Sequence, residues 1–474
     1  MARSRPYRRS FKTTRKTLPL NRVKLLIIIG GNAAGMSAAM RARRLAPDCS
    51  IKVIERTDRI SISNCLIPEY LSGTIENIDS LQQLKAEVVR KEHDIDVLLK
   101  HELIEIDHRS RRISIENLET NQNYDLPYDR LILATGADPI IPNLPNIHAN
   151  GVFTLRNLTQ AKHFRQFLEL RKPVRFAVLG AGILAQVCAS ALSSYGMEVF
   201  LIDNRAESHI DKLEEPIAMC ISDKLHNNDI NVYYVDNIAS INLSHEGIVT
   251  GITTNSRVFE CQGILIATGI KPNLHVAKQA GIVTGIDNSI KVDRHLNTSA
   301  GGIYACGDCA QTFNSITQKT VYWPTATNAS KQGRIAGENA VGGNVHDKGT
   351  LMTRIWSCFD LQIGRVGLSS HLAEKAGIKY EKVSVSTESK PQLFGGSGIE
   401  LTVIFKSDGG RLIGAQLVGT DGVHARLNTL STAISGKLTI NDLEELDLGY
   451  TPKSSALWDP VQIAGRLGGR IGRK

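Results

Sequence analysis

KLLIIIGGNAAG, residues 24–35, joins an apolar run to a glycine-rich turn, and small residues follow it. This order predicts a β-strand, a tight turn and an α-helix. Such a turn presents free backbone N–H groups and the positive end of a helix dipole to a pyrophosphate, and its glycines let the phosphate come close. Asn32 stands where the usual fingerprint has its second glycine. The residues predicted to contact a dinucleotide here are Gly30, Gly31, Ala34 and Gly35.

The next apolar run carries an acidic residue at its end. Residues 51–54 predict a strand, and Glu55 closes it. At this distance from a glycine turn, a carboxylate accepts hydrogen bonds from the ribose hydroxyls of a bound nucleotide. Glu55 and the adjacent Arg56 are therefore predicted to bind the nucleotide. The alternative for Glu55 is an ordinary surface position.

The same order of strand, glycine turn, helix and strand with an acidic end occurs a second time. An apolar strand leads into the turn that holds Gly180 and Gly182, and the next strand ends at Asp203. Two such units imply two bound nucleotides, the second in contact with these glycines. Asp203 would bond a free ribose 2′-hydroxyl and repel a 2′-phosphate, which favours NADH over NADPH. Arg205 lies two residues further on and keeps NADPH open as an alternative.

Cys65 has no second thiol at the spacing of a redox pair. Tyr70 occupies the position at which a CxxxxC pair would carry its second cysteine. A lone redox thiol cannot close an internal disulfide, so its oxidised form is a sulfenic acid or a mixed disulfide with a small molecule. The alternative is a buried, inert cysteine, the commonest state of an isolated Cys.

One motif that occurs twice and a Gly-Asp pair complete the pattern. Ala-Thr-Gly follows an apolar strand at residues 134–136 and again at 267–269, and GIYACGD occupies residues 302–308. With the glycine turns and the lone cysteine, this arrangement resembles, over nearly the whole chain, the FAD-dependent pyridine nucleotide-disulfide oxidoreductases. It is most similar to their single-cysteine branch, which comprises coenzyme A-disulfide reductases, NADH oxidases and polysulfide or persulfide reductases. The resemblance implies FAD and NAD(P)H as cofactors.

The resemblance also implies roles for single residues. In that family the Gly-Asp pair holds the ribityl chain and pyrophosphate of the flavin, and the segment matching residues 324–334 opens a helix aimed at the flavin pyrimidine. The N-terminus of such a helix stabilises the negative charge that collects on the flavin during reduction. The implied cofactor contacts are Ala134, Thr135, Gly136, Asp308, Ala326 and Gly269.

A C-terminal motif, YTPKSS at residues 450–455, extends the resemblance. In the family this segment belongs to a dimerisation domain and reaches into the active site of the other subunit of a homodimer. Tyr450 would there be a proton donor or a substrate clamp. The alternative is a residue that only packs in the subunit interface.

The residues around the cysteine bear on the substrate. Peroxidases and oxidases of the family carry a histidine at the position of Ala33, and without that base the reduction of oxygen or peroxide lacks its proton handler. A sulfur substrate is favoured instead, namely coenzyme A disulfide, a persulfide or a polysulfide. Arg41, Arg43 and Arg44 form a basic cluster suited to a phosphorylated thiol such as coenzyme A. The alternative is a solvated helix end.

The loop that carries the cysteine departs from the family. Ile62, Leu66 and Glu69 stand where the family has Phe, Gly and Tyr, which leaves the sulfur substrate open. Glu69 is expected to place a carboxylate near Cys65 and to raise the pKa of its thiol unless a positive group compensates.

The predicted reaction is a relay. NADH passes hydride to one face of FAD, and the electrons reach a sulfur bound to Cys65 on the other face, where Asn64 is a candidate hydrogen-bond donor. One alternative is an NADH oxidase or electron-donor flavin reductase that does not use the cysteine. Another is a redox-sensing protein that binds flavin as a ligand.

Length and composition agree with several α/β domains. A chain of 474 residues holds about three domains, and its 40 glycines suit layers joined by glycine turns. The predicted fold is α/β, with two Rossmann-like dinucleotide-binding domains, for FAD and NAD(P)H, and a C-terminal α+β dimerisation domain. The predicted limits are 1–21 for a basic flexible tail, 22–150 and 281–345 for the FAD domain, 151–280 for the NAD(P)H domain and 346–474 for the dimerisation domain.

The net charge of +9 comes from the N-terminal end. The first 24 residues hold nine of the 56 basic residues and no acid, so the other 47 basic residues match the 47 acidic ones. A disordered extension or a misassigned start is favoured over a segment that binds nucleic acid or anionic lipid. No hydrophobic segment follows Arg8-Arg9 as in an export signal, so a cytoplasmic protein without nucleic-acid or membrane partners is predicted.

Cys306 and Cys309 form a CxxC pattern, which often binds metal or acts in redox chemistry. The pattern overlaps the predicted flavin-binding turn, and the chain has no second CxxC to complete a zinc site. No metal is therefore predicted. The remaining cysteines have apolar surroundings typical of reduced core residues in a cytoplasmic protein.

Overall fold

The computed structural model of the chain describes residues 23–203, 212–235 and 237–471. The predicted basic tail at residues 1–21 lies outside these residues. The α-helices are α1 (Ala33–Leu45), α2 (Ile67–Leu71), α3 (Ala86–His93), α4 (Leu158–Arg171), α5 (Ile183–Ser193), α6 (Glu215–His226), α7 (His275–Gln279), α8 (Ala326–Ala340), α9 (Ser370–Lys375), α10 (Val423–Ser435) and α11 (Pro460–Ile471). The strands are β1 (Leu25–Ile29), β2 (Ser50–Glu55), β3 (Asp96–Leu99), β4 (His101–Asp107), β5 (Arg112–Asn117), β6 (Gln122–Pro127), β7 (Arg130–Leu133), β8 (Ala137–Pro139), β9 (Val152–Phe153), β10 (Arg175–Leu179), β11 (Glu198–Asp203), β12 (Asn231–Tyr234), β13 (Ile238–Leu243), β14 (Val249–Thr254), β15 (Val258–Glu260), β16 (Gly263–Ile266), β17 (Ile270–Pro272), β18 (Ile303–Ala305), β19 (Thr312–Phe313), β20 (Thr320–Val321), β21 (Arg354–Cys358), β22 (Leu361–Gly367), β23 (Tyr380–Glu388), β24 (Gly398–Lys406) and β25 (Leu412–Gly419).

The first glycine turn belongs to a five-stranded parallel sheet in the order β18-β7-β1-β2-β3. The apolar run at residues 26–28 is fully buried because strands flank it on both sides and α1 and α8 cover the sheet. β18 joins this sheet although it follows the whole second unit in the chain. The first unit is therefore built from two separate stretches of sequence.

The second glycine turn belongs to another five-stranded parallel sheet, in the order β12-β11-β10-β16-β9. The two units repeat the same backbone hydrogen bonds. Gly30 N donates to Ile54 O at 2.8 Å in the first, and Gly180 N donates to Ile202 O at 2.7 Å in the second. The prediction of two Rossmann-like units is confirmed, while the residue limits predicted for the domains stay predictions.

Both turns begin with a glycine that no other residue can replace without strain. Gly30 has φ +102°, and a Cβ there would lie 2.2 Å from the carbonyl oxygen of Ala134. Gly180 has φ +109°, and its Cβ would lie 2.6 Å from the carbonyl oxygen of Ala267. Since Ala134 and Ala267 open the two Ala-Thr-Gly motifs, each motif packs directly against its glycine turn.

The C-terminal unit is an antiparallel sheet in the order β21-β22-β25-β24-β23. Helices α10 and α11 pack on it, and α6 of the second unit also contacts it. Glu214, 4% exposed, joins the two units because its carboxylate accepts hydrogen bonds from Ser370 N (2.8 Å), Ser370 Oγ (2.9 Å) and Lys382 Nζ (3.0 Å). The predicted α+β unit is confirmed. No helix in the described ranges has the length and apolar character needed to cross a membrane.

A buried ion pair fixes the start of α11. Arg426 Nε donates to Asp459 Oδ2 at 2.9 Å, Arg426 Nη2 donates to Ser389 O at 2.7 Å, and Asp459 Oδ1 accepts from Val461 N at 3.0 Å. The two charged residues are 4% and 8% exposed. Replacing Arg426 with methionine is expected to cost about 3–5 kcal/mol of stability, because it leaves Asp459 buried without its cation.

Thermal or urea unfolding of the variant measures that loss. Arg175→Met is the control, since Arg175 pairs with Glu198 (2.8 Å) and Glu260 (3.1 Å) at the exposed surface. Such a pair contributes about 1 kcal/mol or less. Equal losses in the two variants would contradict the assignment of the Arg426 pair as a buried structural contact.

Candidate active site

A cavity of about 1260 Å³ lies at the end of the first sheet. It collects segments that are far apart in the sequence: the first glycine turn, the end of β2, the cysteine loop, the first Ala-Thr-Gly motif and the start of α8. The predicted site residues that line it are Gly30, Ala34, Glu55, Arg56, Asn64, Cys65, Ala134, Thr135, Gly136, Asp308 and Ala326.

Glu55 also shapes the first glycine turn. It is 6% exposed, and its Oε2 accepts a hydrogen bond from Gly31 N at 2.7 Å. Its Oε1 accepts from Thr57 N (2.9 Å) and Thr57 Oγ1 (2.8 Å). Oε2 can accept a further hydrogen bond, so these contacts leave Glu55 able to bind a ribose. That contact stays a prediction.

Gly31 and Gly35 serve packing rather than the cavity wall. A Cβ on Gly31 would lie 2.4 Å from Ile60 Cγ2, and one on Gly35 would lie 1.8 Å from Gly30 O. These two residues do not line the cavity, and their predicted cofactor contact is untested.

Cys65 is held on a loop that docks on the first glycine turn. A short 3₁₀ helix, Asn64–Leu66, carries it, and Asn32 Oδ1 accepts a hydrogen bond from Ile62 N at 2.9 Å. The side chain of Asn32, which stands in place of the usual glycine, therefore holds the cysteine loop against the first glycine turn. All eight cysteines belong to the described part of the chain, and Cys65 is the exposed one.

The buried thiols have little capacity to react. Burial raises the pKa of Cys261 and Cys358 to about 12, and it raises the pKa of Cys306 well above the ordinary value. A protonated, buried thiol is a poor nucleophile. Cys309 Sγ lies within hydrogen-bond distance of two carbonyl oxygens, those of Leu133 (3.4 Å) and Cys306 (3.3 Å), to which its single S–H can donate. No cluster of three or more His, Cys, Asp or Glu side chains able to hold a metal ion occurs among the described residues.

Glu69 does not line the cavity. Its charge acts on Cys188 of α5, in the second unit, where burial and then Glu69 raise the pKa of the thiol to about 12. Its buried Oε2 has no hydrogen-bond partner among the described residues. The side chain therefore lies at the contact between α2 and α5.

Arg156 is a site residue that the sequence did not indicate. Its Nη2 donates to Asp308 Oδ2 at 2.7 Å, its Nε donates to Ala137 O at 2.8 Å, and it lines the cavity. Asp308 also accepts a hydrogen bond at its backbone oxygen from Tyr322 Oη at 2.8 Å. Arg156 lies in the connection between β9 and α4, with no motif around it, so only the fold reveals its place.

The three arginines of α1 point in two directions. Arg41 and Arg44 follow Ser37 by about one and two helical turns and share its face, whereas Arg43 lies on another face. Arg43 Nη1 donates to Pro47 O at 2.6 Å, and Arg43 pairs with Asp94 at 3.5 Å. Arg41 Nε donates to Glu338 Oε2 at 2.8 Å. None of the three lines the cavity.

The second nucleotide turn lies apart from the cavity wall. Gly182 has open space where a Cβ would be, Asp203 ends β11, and Gly269 has φ +113°. Arg205 lies outside the described residues. Tyr450 does not line the cavity of its own chain either; it is 48% exposed, and Leu457 and Trp458, further along the same segment, are also exposed. The predicted roles of Gly180, Gly182, Asp203, Gly269 and Tyr450 stay predictions.

Comparisons with known proteins agree with this geometry. The family model for the pyridine nucleotide-disulphide oxidoreductases matches residues 24–333, and the model for the dimerisation domain of the same family matches residues 356–460. An NAD(P)H coenzyme A polysulfide/persulfide reductase of Pyrococcus horikoshii is 30% identical over 94% of this chain and 99% of its own length. An NADH oxidase of Methanocaldococcus jannaschii is 29% identical over 92% of this chain and 97% of its own.

The structure of an NAD-dependent persulfide reductase from A. fulgidus superposes with a TM-score of 0.90 at 32% identity, covering 95% of this chain and 84% of that one. The predicted fold and the prediction of an NAD(P)H-dependent oxidoreductase are confirmed. From its two glycine turns to its C-terminal sheet, the chain belongs to the pyridine nucleotide-disulphide oxidoreductase family.

Proposed function

We propose that the chain is a homodimeric flavoprotein that passes electrons from NAD(P)H to a small disulfide, persulfide or polysulfide by way of Cys65. One observation carries this proposal: the exposed cysteine lines the same cavity as the first glycine turn and Asp308. A lone thiol at this place has no internal partner, so a disulfide at Cys65 forms with a small sulfur compound from outside the chain.

The cavity suits the predicted flavin. FAD and NAD(P)H are the cofactors of the family, as the sequence predicted. A volume of about 1260 Å³ exceeds that of an ordinary small-molecule pocket and leaves room for a dinucleotide. Gly30, Glu55 and Asp308 are the residues that would hold it, with Arg156 fixing the Asp308 carboxylate. Bound there, FAD would supply two-electron transfer between the nicotinamide and sulfur.

Cys65 performs the sulfur chemistry in this proposal. Its thiolate attacks one sulfur of the substrate disulfide, the substrate S–S bond breaks, and the first thiolate product leaves. The resulting mixed disulfide on Cys65 then takes two electrons from NAD(P)H, and with one proton it releases the second thiol. With a persulfide or polysulfide, the thiolate of Cys65 attacks the outer sulfur, the S–S bond of the substrate breaks, and the shortened thiolate leaves. The persulfide formed on Cys65 then takes two electrons from NAD(P)H and one proton, which releases hydrosulfide and restores the Cys65 thiolate.

The surroundings of Cys65 favour sulfur over oxygen. Ala33, at the position of the oxidase histidine, lines the cavity. The histidines that do line it, His101 and His275, lie on β4 and α7 and not on the cysteine loop. The alternative function is an NADH oxidase, which the similarity to the Methanocaldococcus protein supports.

The test compares turnover of NADH by the FAD-loaded protein with coenzyme A disulfide, persulfide, polysulfide and oxygen. We expect a sulfur substrate to be the fastest acceptor. Oxygen turnover that exceeds all three would favour the oxidase instead.

Asp203 is proposed to select NADH. Replacing it with alanine is expected to shift the ratio of kcat/KM for NADPH over NADH upward by about tenfold or more, because the ribose hydroxyl loses a charged partner and a 2′-phosphate is no longer repelled. Steady-state kinetics with both nucleotides measure the shift. Glu198→Ala, at the exposed start of the same strand, is the control and should leave the ratio unchanged.

Helices α1 and α8 offer a surface along which a phosphorylated thiol bound at Cys65 would extend. Ala33 and Ala329 line the cavity in the first turns of α1 and α8. Ser37 Oγ, one turn after Ala33, lies 3.0 Å from the Oγ of Ser330, the residue after Ala329. Arg41 and then Arg44 continue this line on α1. We infer that coenzyme A, if it is the substrate, lies along the seam between the two helices.

Replacing Arg44 with alanine tests this seam. The KM for coenzyme A disulfide is expected to rise about three- to fivefold, the effect of one exposed charge on a phosphate, while the KM for polysulfide stays the same. Arg43→Ala is the matched control because its guanidinium faces Pro47 and Asp94 instead. Equal effects of the two variants would contradict the placement.

The homodimer brings Tyr450 into the proposal. Two findings support a second copy of the chain at the surface that carries Tyr450: the match to a dimerisation domain, and the exposed side chains of Leu457 and Trp458 near it in the sequence. Tyr450 of the second copy would then reach the cavity from outside and clamp the substrate or donate a proton.

A further inference from the structure

Two arginines of the C-terminal sheet face each other across neighbouring strands. Arg354 on β21 and Arg365 on β22 are direct register partners. Their guanidinium carbons lie 4.3 Å and 5.3 Å from the centre of the Trp323 ring. Like charges placed directly opposite each other destabilise an antiparallel pair, so sheet stability does not explain this arrangement.

The charge of this pair is not balanced by the described residues. No carboxylate among them lies within ion-pair distance of either guanidinium, and Arg354 Nη2 donates to the backbone oxygen of Pro324 at 3.1 Å. Asp308 acts on Arg354 from further away, but its carboxylate is already paired with Arg156 at 2.7 Å. Burial, and then the charge of Arg354, lowers the pKa of Arg365 to about 10.

The pair lies at the junction of the three units. On β21, two residues after Arg354, Trp356 donates from its Nε1 to Gln186 of α5 in the second unit at 2.9 Å. Pro324, which accepts from Arg354, lines the central cavity just before α8 begins. The N-terminal end of α8 adds the positive end of a helix dipole to the two guanidinium charges.

The same place offers unused hydrogen-bond donors. Trp323 Nε1 is buried and has no partner among the described residues. Stacking on an indole ring occupies the face of a guanidinium and leaves its in-plane N–H groups free to bind. Two cations and an N–H group therefore lie together, and the acceptor that the described residues supply to them is the backbone oxygen of Pro324.

We propose that Trp323, Arg354 and Arg365 form a binding site for a tetrahedral oxyanion at the rim of the cavity. Guanidinium forks match the oxygen pairs of phosphate and of sulfur oxyanions, and binding would neutralise two charges that otherwise repel each other. The anion is either a phosphate group of a bound nucleotide or thiol substrate, or a free oxyanion. The site does not rest on the proposed function, since Cys65 takes no part in it.

The test uses the FAD-loaded full chain and inorganic sulfate, with sodium chloride at the same ionic strength as the reference. Titration calorimetry is expected to give saturable binding of one sulfate per chain. The double variant Arg354→Gln/Arg365→Gln is expected to weaken it by about tenfold or more. Arg257→Gln is the matched control, because Arg257 stacks on Tyr233 (4.1 Å) and Phe259 (4.2 Å) in the second unit. Equal sulfate affinity in the double variant and the native chain overturns the proposal.

A second measurement on the native sequence guards against misfolding of the double variant. Crystals soaked in selenate are expected to show anomalous density within hydrogen-bond reach of both guanidinium groups, and its absence at saturating selenate overturns the site. If sulfate binds, competition experiments identify the natural anion. Competition with NADH or with coenzyme A disulfide indicates a phosphate group of that molecule, and competition with neither indicates a free oxyanion. Cys65→Ser should bind sulfate as the native chain does, which separates this site from the sulfur relay.

Discussion

Replacing Cys65 with serine is expected to lower sulfur-dependent oxidation of NADH by about 10³-fold or more, while FAD stays bound. Serine keeps the shape of the loop, but its hydroxyl neither ionises near neutral pH nor forms a mixed disulfide. Removing the nucleophile of a covalent pathway has effects of this size or larger. The assay follows NADH absorbance with coenzyme A disulfide or polysulfide, and the flavin spectrum of the purified variant reports cofactor content.

Cys220→Ser is the matched control for this experiment. Cys220 is half-buried on α6, away from the cavity, so its replacement should leave turnover and flavin content unchanged. If Cys65→Ser retains full sulfur-dependent activity, the relay through Cys65 is wrong and a reductase or oxidase that works without the thiol takes its place.

Replacing Gly30 with alanine is expected to yield a protein that holds little FAD and unfolds at a clearly lower temperature. The new Cβ would lie 2.2 Å from the carbonyl oxygen of Ala134, and the backbone has φ +102°, which side-chain-bearing residues rarely adopt. Strain and overpacking each contribute on the order of 1–3 kcal/mol, so a total of about 3 kcal/mol or more is expected. The turn can relax only by moving away from the Ala-Thr-Gly motif, and both segments line the cavity.

Thermal unfolding and the flavin absorbance of the purified variant measure this effect. Gly301→Ala is the control, since nothing lies within 4 Å of a Cβ at that position. Gly182→Ala gives a useful contrast, because its Cβ also meets open space. That variant should fold and keep FAD but show a raised KM for NADH. Normal FAD content and unchanged stability in Gly30→Ala would contradict the packing described for the first turn.

The sequence was sufficient for features that depend on neighbouring residues. The strand, glycine turn and helix around Gly30 and Gly180 are local, and so are the acids that close the next strands. The lone thiol at Cys65 is evident from local spacing, since Tyr70 stands where a redox pair would carry its second cysteine. These features, together with the resemblance, predicted the two parallel sheets, the C-terminal unit and the family.

What the sequence did not reveal depends on contacts between distant residues. Arg156 meets Asp308 across 152 positions, and Arg354 meets Arg365 only through the register of β21 and β22. Glu69 lies on α2, and its place beside Cys188 follows from the packing of α2 on α5. The split of the arginines on α1 was different, because the helical period of 3.6 residues already separates Arg43 from Arg41 and Arg44.

The position of β18 has a consequence for how the chain is made. β7 pairs with β1 on one side and with β18 on the other. During synthesis, residues 134–302 leave the ribosome after β7 and before β18. Until residues 303–305 emerge, the Leu131-Ile132-Leu133 edge of the nascent N-terminal half stays open, and α8 has not yet been synthesised to cover the sheet. An open apolar edge is a template for pairing with other chains. A chain that stops short of β18 is therefore expected to aggregate or to need a chaperone, and ribosome pausing within residues 134–302 would prolong that exposure.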